Sequence, residues 1–216
     1  MFIIQHQAAE LWLKLVLHEL RTAREHLAGD RLQQALKGLA RVKRIQHILT
    51  EQWSVLATLT PSEFVRFRGF LGRSSGFQSY QYRAVEFILG NKNDEMLEVF
   101  RHDEHAHALL SGLLGQPSIY DEFLRYLARR GYQVPAPLLE RDVSHTHLRA
   151  ELVPVFRKIY ESVAENWDAY EACEELLDLE DNFQLWRFRH LKTVERTIGS
   201  SGAPVGPAAC LSSATR

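Results

Sequence analysis

Residues 32–59, LQQALKGLARVKRIQHILTEQWSVLATL, decide the fold class of this chain. Apolar residues recur there every three or four positions, the spacing of one face of an amphipathic helix, and lysine and arginine occupy the opposite face. The apolar face consists of Leu32, Leu36, Leu39, Val42, Ile45, Leu49, Leu56 and Leu59. Because a helix gains most of its stability by burying such a face, the pattern predicts helices packed on one another.

The helical period continues on both sides of this stretch. The preceding helix has its apolar residues at Ile4, Ala8, Leu11, Leu15, Leu20, Ala23 and Leu27, and Gly29-Asp30 ends it. Later helices are predicted from Pro61, over 79–89, after a cap at Asp94, from Ser118 to Gly131 and, as a pair, within 148–198, the last over 165–197. No run of alternating β-branched residues is long enough for a sheet. We therefore predict an all-α helical bundle.

A capping box marks the start of the short helix after residue 60. Thr60-Pro61-Ser62-Glu63 has a hydroxyl at the N-cap, proline at the first helical position and glutamate at the third. The helix is predicted to contain Phe64, Phe67, Arg68 and Leu71.

The composition is that of an ordinary folded protein. The 216 residues include 26 basic and 27 acidic side chains, a net charge of −1, so no basic excess favours nucleic acid. The basic stretch Arg41, Lys43 and Arg44 is predicted to be a solvated helix face. No apolar run reaches the roughly 18 residues of a membrane span. Since Cys173 and Cys210 form no disulfide framework and the N-terminus lacks the features of a secretory signal, we expect a cytoplasmic protein.

We expect one helical domain over residues 1–199. Residues 200–216 differ in kind, because 12 of these 17 are Ala, Gly, Pro or Ser, and we predict that this tail is poorly ordered.

Five of the ten histidines, His102, His105, His107, His145 and His147, are predicted to lie on the surface. Glu104 and His107 have the Glu-x-x-His spacing of carboxylate-bridged di-iron bundles, but those proteins need a second copy and further glutamates, and no second copy exists here. Cys pairs and His-Glu-x-x-His are absent, which argues against zinc, and the P-loop and dinucleotide glycine patterns are absent too. Cys173, among carboxylates, is predicted to be a buried structural thiol.

Two histidines have unusual neighbours. His6 stands in the apolar segment Phe2-Ile3-Ile4-Gln5-His6-Gln7, and His190 ends the segment Gln184-Leu185-Trp186-Arg187-Phe188-Arg189-His190, where aromatic and cationic residues crowd together. Either one alone is more often a core residue than a ligand. Together, in an all-α protein, they fit haem, which needs one imidazole from the protein, apolar walls and cations near its propionates.

At these residues the sequence resembles the tryptophan 2,3-dioxygenase family. The resemblance spans about residues 1–199 and rests on several long segments that keep their order. These are Phe2 to Lys14, Glu51-Gln52-Trp53, Thr60 to Phe64 with Arg68, Ser74 to Ser79 with Gln81-Tyr82-Arg83, Gly90-Asn91-Lys92, and Phe183 to His190.

The resemblance implies a cytoplasmic homotetramer of mostly helical subunits that bind haem b. Its expected reaction adds both atoms of O2 across the indole 2,3 bond of L-tryptophan and gives N-formylkynurenine, with ferrous iron required. No nucleic-acid or membrane partner is expected.

The same resemblance implies roles for individual residues. His190 would be the axial ligand of the haem iron, and His6 would be the distal catalytic histidine beside the indole N–H. Trp53 would lie near His190 and orient its ring. The other substrate-binding residues would be Phe2, Phe64 and Leu71 as walls of the indole pocket, Arg68 as the partner of the substrate carboxylate, and Ser75 and Gly76 in a loop beside the haem edge.

Two departures from the family pattern leave an alternative open. Members of the family have a segment ahead of the Phe2 helix, and after Ile198-Gly199 they continue into a glycine-rich loop with an ammonium-binding threonine and further helices. This chain starts at Met1 and follows with Ser200 to Pro204 instead. The alternative function is therefore a catalytically impaired haem-binding helical protein derived from the family. A related haem enzyme acting on a different indole is a third reading.

Overall fold

A computed structural model of the chain describes residues 1–71, 79–145 and 150–198. Within these ranges it contains ten α-helices and no strand, which confirms the all-α prediction. The helices are α1 (Phe2–Ala28), α2 (Leu32–Leu56), α3 (Pro61–Arg68), α4 (Tyr80–Leu89), α5 (Glu95–Val99), α6 (Glu104–Leu114), α7 (Ile119–Arg129), α8 (Ala136–Leu139), α9 (Val153–Glu161) and α10 (Trp167–Ile198). The tail expected over 200–216 lies outside the described residues.

Helix α2 is the central element and packs on both α1 and α10. It runs antiparallel to α1, since Arg41 pairs with Glu19 while Gln52, farther along α2, accepts a hydrogen bond at 2.6 Å from Gln5. It runs parallel to α10, as the next contacts show. The predicted apolar face of α2 is buried along its whole length. The start of α1, the end of α2 and the end of α10 therefore meet at one end of the bundle.

The basic face predicted on α2 is not simply solvated. Lys43 is only 17% exposed, and its Nζ lies 2.8 Å from carboxylate oxygens of both Glu175 and Asp178 on α10. One turn later, Gln46 is buried and donates to the carbonyl oxygen of Leu179. The prediction was wrong for Lys43, because acidic residues of the neighbouring α10 cover it.

The buried face of α1 differs from the prediction in the first half of the helix only. Leu20, Ala23 and Leu27 are buried as predicted, whereas Ile4 and Leu11 are each 70% exposed and Leu13, Val16 and Leu17 are buried instead. Helix α1 has apolar residues on more than one face in its first four turns. The partner helices α2, α4 and α7 pack on the face that contains Leu17, and they leave the other stripe uncovered.

Helix boundaries follow local capping chemistry. The capping box at Thr60 is present, with the Thr60 Oγ1 accepting from the Glu63 backbone and the Glu63 carboxylate accepting from the Thr60 N–H. Asp94 occupies an N-cap position, but its side chain makes no capping hydrogen bond, and Asn93 Oδ1 accepts from the Glu95 N–H instead. Helix α4 ends at Gly90, whose φ of 110° is the left-handed conformation that favours glycine.

Helix α6 was not predicted as a separate element. Asp103 caps it by accepting a hydrogen bond from the Ala106 N–H, and Leu110 and Leu113 are buried on its inner face. His102 and His105 are exposed, as expected for a surface, while His107 is half-buried.

None of the helices within the described ranges has the length and apolar character needed to cross a membrane.

Candidate functional site: a cleft between two histidines

A cleft of about 420 Å³ opens where the start of α1 meets the end of α10. Trp53 near the end of α2 lies at its base, and α4 provides one wall. His6 and His190 both line this cleft, so the structure brings together the two histidines that the sequence singled out. The other lining residues are Ala9, Glu10, Leu13, Ser79, Tyr82, Arg83, Gln184, Trp186, Arg187, Phe188 and Leu191.

His190 is half-buried against two tryptophans. Its ring stacks on Trp53, with centroids 4.5 Å apart and planes tilted by 15°, and it lies 6.0 Å from the ring of Trp186. Burial, with a smaller contribution from the nearby His6, lowers the pKa of His190 to about 4. The imidazole is therefore neutral near pH 7, which is the form that binds a metal ion.

The indole N–H groups of Trp53 and Trp186 are both buried, and neither has an acceptor among the described residues. Trp53 lies beside His190 in a ring stack, and its Nε1 donates no hydrogen bond to the imidazole in this structure. Buried N–H groups of this kind are uncommon and concentrate at functional sites.

His6 has a defined tautomer when its ring is neutral. Its Nδ1 lies 2.9 Å from the backbone carbonyl oxygen of Phe2, which can only accept a hydrogen bond. The proton is therefore on Nδ1, and Nε2 keeps a lone pair that can accept a hydrogen bond from another donor.

An aromatic cluster adjoins His6. The Phe2 ring lies 4.3 Å from the His6 ring, 5.8 Å from Phe64 and 5.6 Å from Phe67, and Phe64 and Phe67 meet edge to face at 5.4 Å. Phe64 is buried. The cluster supplies an apolar wall beside the histidine, and the sequence reasoning had included Phe67 in the helix without giving it a place in the site.

The remaining expected substrate residues lie farther along the same segment. Arg68 is the last residue of α3 and is exposed, although Phe64 four residues earlier is buried. Leu71 is half-buried and packs against the core. Ser75 and Gly76 lie outside the described residues.

Three cleft residues were missed by the sequence reasoning. Tyr82 packs at a tilt against Trp186 with ring centroids 5.1 Å apart, and Arg83 forms an ion pair with the buried Glu86. Arg187 enters the cleft from α10. Tyr82 and Arg83 belong to a segment already noted for its resemblance, but an arginine three residues before a glutamate looks like any surface helix pair in sequence.

The side chains of the cleft suit a metal ion that is held within a cofactor, which supplies most of the metal's ligands. No group of three or more His, Cys, Asp or Glu side chains in the described part of the chain is arranged to hold a bare ion. The cleft instead offers one neutral imidazole, aromatic walls and two guanidinium groups, Arg83 and Arg187. These are the requirements of a haem, whose iron takes one axial ligand from the protein and whose carboxylates attract cations.

Fold and cleft together define an all-α protein with two histidines facing one ligand-sized space. The sequence model of the family described as tryptophan 2,3-dioxygenase matches residues 1–110. The chain belongs to the tryptophan 2,3-dioxygenase family.

Individual relatives agree over a longer range. The chain is 77% identical over 200 residues to the tryptophan 2,3-dioxygenase of Saccharopolyspora erythraea, and the match covers 92% of this chain and 71% of the relative. It is 68% identical over 200 residues to that of Kineococcus radiotolerans, covering 92% and 70%, and 67% identical over 207 residues to that of an Arthrobacter species, covering 95% and 73%. The chain is thus shorter than these relatives.

Proposed function

We propose that this chain is a haem-dependent enzyme that adds O2 across the indole 2,3 bond of L-tryptophan and releases N-formylkynurenine. The observation that carries the proposal is the placement of His6 and His190 on one cleft, with Trp53 stacked on His190. Membership of the family supports the reaction, and nothing in the comparisons favours the alternative of an impaired haem-binding protein.

His190 would hold the iron of haem b, because its ring is neutral and its surroundings are apolar. Trp53, Trp186 and Leu191 would pack against the porphyrin, and the guanidinium groups of Arg83 and Arg187 would attract its carboxylates. When bound, ferrous haem would supply the O2-binding iron that this chemistry requires. The protein would supply binding, orientation and exclusion of water.

His6 would receive the indole N–H of the substrate on Nε2. This role is supported by the hydrogen bond from Nδ1 to the Phe2 carbonyl oxygen, which leaves Nε2 as an acceptor. Phe2, Phe64 and Leu71 would enclose the indole, and Phe67 would back Phe2. A neutral acceptor aimed at the ring nitrogen places the indole plane without adding charge to an apolar pocket.

Arg68 would bind the substrate carboxylate, since a guanidinium matches that group with two parallel hydrogen bonds. Arg68 is the last residue of α3, one turn after Phe64, and this closeness in the helix supports a carboxylate contact beside the aromatic wall. Ser75 and Gly76 would complete this end of the pocket.

Association of subunits into a homotetramer belongs to the same proposal. Exposed apolar side chains run along both helices that flank the cleft, at Ile4 and Leu11 on α1 and at Leu185, Phe188 and Leu191 on α10. Stripes of this kind are typical of surfaces that another subunit covers. A cytoplasmic location is proposed from the sparse cysteines, of which Cys173 is a free, buried thiol whose pKa burial raises to about 12.

The proposal is tested by loading the chain with haem, reducing it without air, and adding L-tryptophan and O2. Absorbance of N-formylkynurenine is the expected result, with His190→Ala as the inactive control. A Soret band that L-tryptophan perturbs, without any product, would instead support the non-catalytic alternative. Product formed at the same rate by His190→Ala would contradict the proposed site.

A further inference from the structure

Glu86 is a buried carboxylate next to Tyr82 and Arg83, two residues that line the cleft, and 3% of the residue is exposed. It lies on α4 and accepts hydrogen bonds from three side chains. The donors are the Tyr82 hydroxyl at 2.9 Å, Arg83 Nη1 at 2.6 Å and Asn91 Nδ2 at 3.3 Å. A buried charge with this many partners is strongly held in one place, since any loss of a partner leaves it poorly solvated.

Two of these donors line the cleft itself. Tyr82 stacks on Phe183, with ring centroids 5.7 Å apart, and packs at a tilt against Trp186 at 5.1 Å, while the Arg83 guanidinium lies 5.1 Å from the centre of the Tyr82 ring. The carboxylate therefore joins an aromatic wall to a cation. Arg187, on the facing helix, has no carboxylate partner among the residues that the structure describes.

We propose that Glu86 is a positioning residue for the cofactor, which acts by holding Arg83 in one orientation on the cleft wall. Arg83 then meets a porphyrin carboxylate without the loss of rotamer freedom that a mobile arginine would incur. Tyr82 packs against Trp186, whose ring lies 6.0 Å from that of His190. The inference rests on the proposed haem site and extends it to residues that do not touch the iron.

A matched pair elsewhere separates positioning from plain stability. Glu122 on α7 forms the same kind of pair with Arg125, three residues apart, at 2.7 Å, and its side chain is 10% exposed compared with 4% for Glu86. Neither Glu122 nor Arg125 lines the cleft. Replacing either glutamate with glutamine removes one buried carboxylate from one arginine, and because Glu86 also accepts from Tyr82 and Asn91, its variant should have the larger cost to folding.

The experiment measures haem affinity of the whole chain by titration with hemin and by the rate of haem transfer to apomyoglobin. Glu86→Gln is expected to weaken binding about tenfold, the effect of loosening one charge-assisted hydrogen bond. Glu122→Gln is expected to change it less than about twofold. Glu86→Asp keeps the carboxylate and should recover part of the loss, and it serves as the second variant if Glu86→Gln fails to fold.

A double mutant tests whether Glu86 acts through Arg83. In an Arg83→Gln background, Glu86→Gln should cause little further loss of haem affinity, and the haem reduction potential should then differ little between the two proteins. Equal haem affinities for Glu86→Gln and Glu122→Gln, or a full tenfold effect in the Arg83→Gln background, would overturn the inference. The proposed haem site itself would be overturned if the wild-type chain took up no haem, or if the Soret band were the same in wild type and His190→Ala. These results are separate from the Glu86 comparisons, so a failure of the haem site can be told from a failure of the Glu86 inference.

Discussion

The two halves of α10 differ in how completely their apolar side chains are buried. The first half, up to Leu179, buries Ala169, Ala172 and Cys173, and its acidic residues form ion pairs with Lys43 of α2. The second half buries Phe183, Trp186, Thr193 and Thr197 but leaves four large apolar side chains, Leu185, Phe188, Leu191 and Ile198, between 43% and 55% exposed, whereas the first half exposes two, Trp167 and Leu177. One continuous helix thus joins a packed core to an incompletely covered cleft.

This contrast shows how a single helix can serve both stability and binding. The packed half fixes the position of α10 against α2, because apolar burial and the Lys43 ion pairs act on the same turns. The other half presents His190 beside Trp53. It still buries Phe183 and Trp186, but more of its apolar side chains stay exposed than in the first half.

The strongest test of the contrast is His190→Ala. Because the proposed iron ligand is removed while the packed half is untouched, haem retention should be lost and the helical signal should stay largely intact. Absorbance of the Soret band after gel filtration and far-UV circular dichroism measure the two properties. Full haem occupancy in this variant would show that the second half of α10 does not hold the iron.

A pair of leucines in α10 gives the next largest effect. Leu179 is 2% exposed, so Leu179→Ala should lower the free energy of unfolding by about 2–5 kcal/mol through lost burial and a residual cavity. Leu191 is 49% exposed, and Leu191→Ala should change it by less than about 1 kcal/mol. Urea denaturation of the two variants measures the difference. Similar losses at both positions would remove the distinction between the halves.

The distinction also marks the limit of what sequence could predict. The packed elements were predicted because period and capping chemistry act locally, as in α2 and at Thr60. The buried face in the first half of α1 was not predicted correctly. Apolar residues occur there on more than one face of the helix, and the packing of α2, α4 and α7 decides which face is buried. Helix α6 was missed because its polar first turn hid the apolar residues Leu110 and Leu113.

The site divides in the same way. His6 and His190 stood out because histidines among aromatic and apolar residues are unusual. Glu86 gave no such signal, since its burial depends on how α4 packs on the rest of the bundle, and a glutamate three residues after an arginine is common on exposed helices. The stacking of Trp53 on His190 required the parallel arrangement of α2 and α10, which no local pattern contains.

The next prediction concerns Arg68 at the end of α3, a helix that packs against α10. Arg68→Ala should weaken L-tryptophan binding about ten- to one-hundredfold, the range expected for loss of a charge-assisted pair with the carboxylate, and Arg68→Lys should recover only part of it. Binding of indole, which has no carboxylate, should barely change. Calorimetry or spectral titration with both ligands measures this. Equal losses for indole and L-tryptophan would mean that Arg68 supports the pocket without reading the carboxylate.

The smallest expected effect is that of His6, across the cleft from α10. Its Nε2 can accept the indole N–H, a neutral hydrogen bond worth roughly 0.5–1.5 kcal/mol, so His6→Ala should lower turnover about three- to tenfold. Haem should remain bound, because His6 contacts substrate in this arrangement while His190 holds the iron. A 1-methyl-substituted tryptophan, which has no indole N–H, should lose little in the variant relative to wild type, whereas L-tryptophan should lose the full amount. Loss of haem from His6→Ala would instead mean that His6 on α1 binds the iron and that His190 on α10 contacts the substrate.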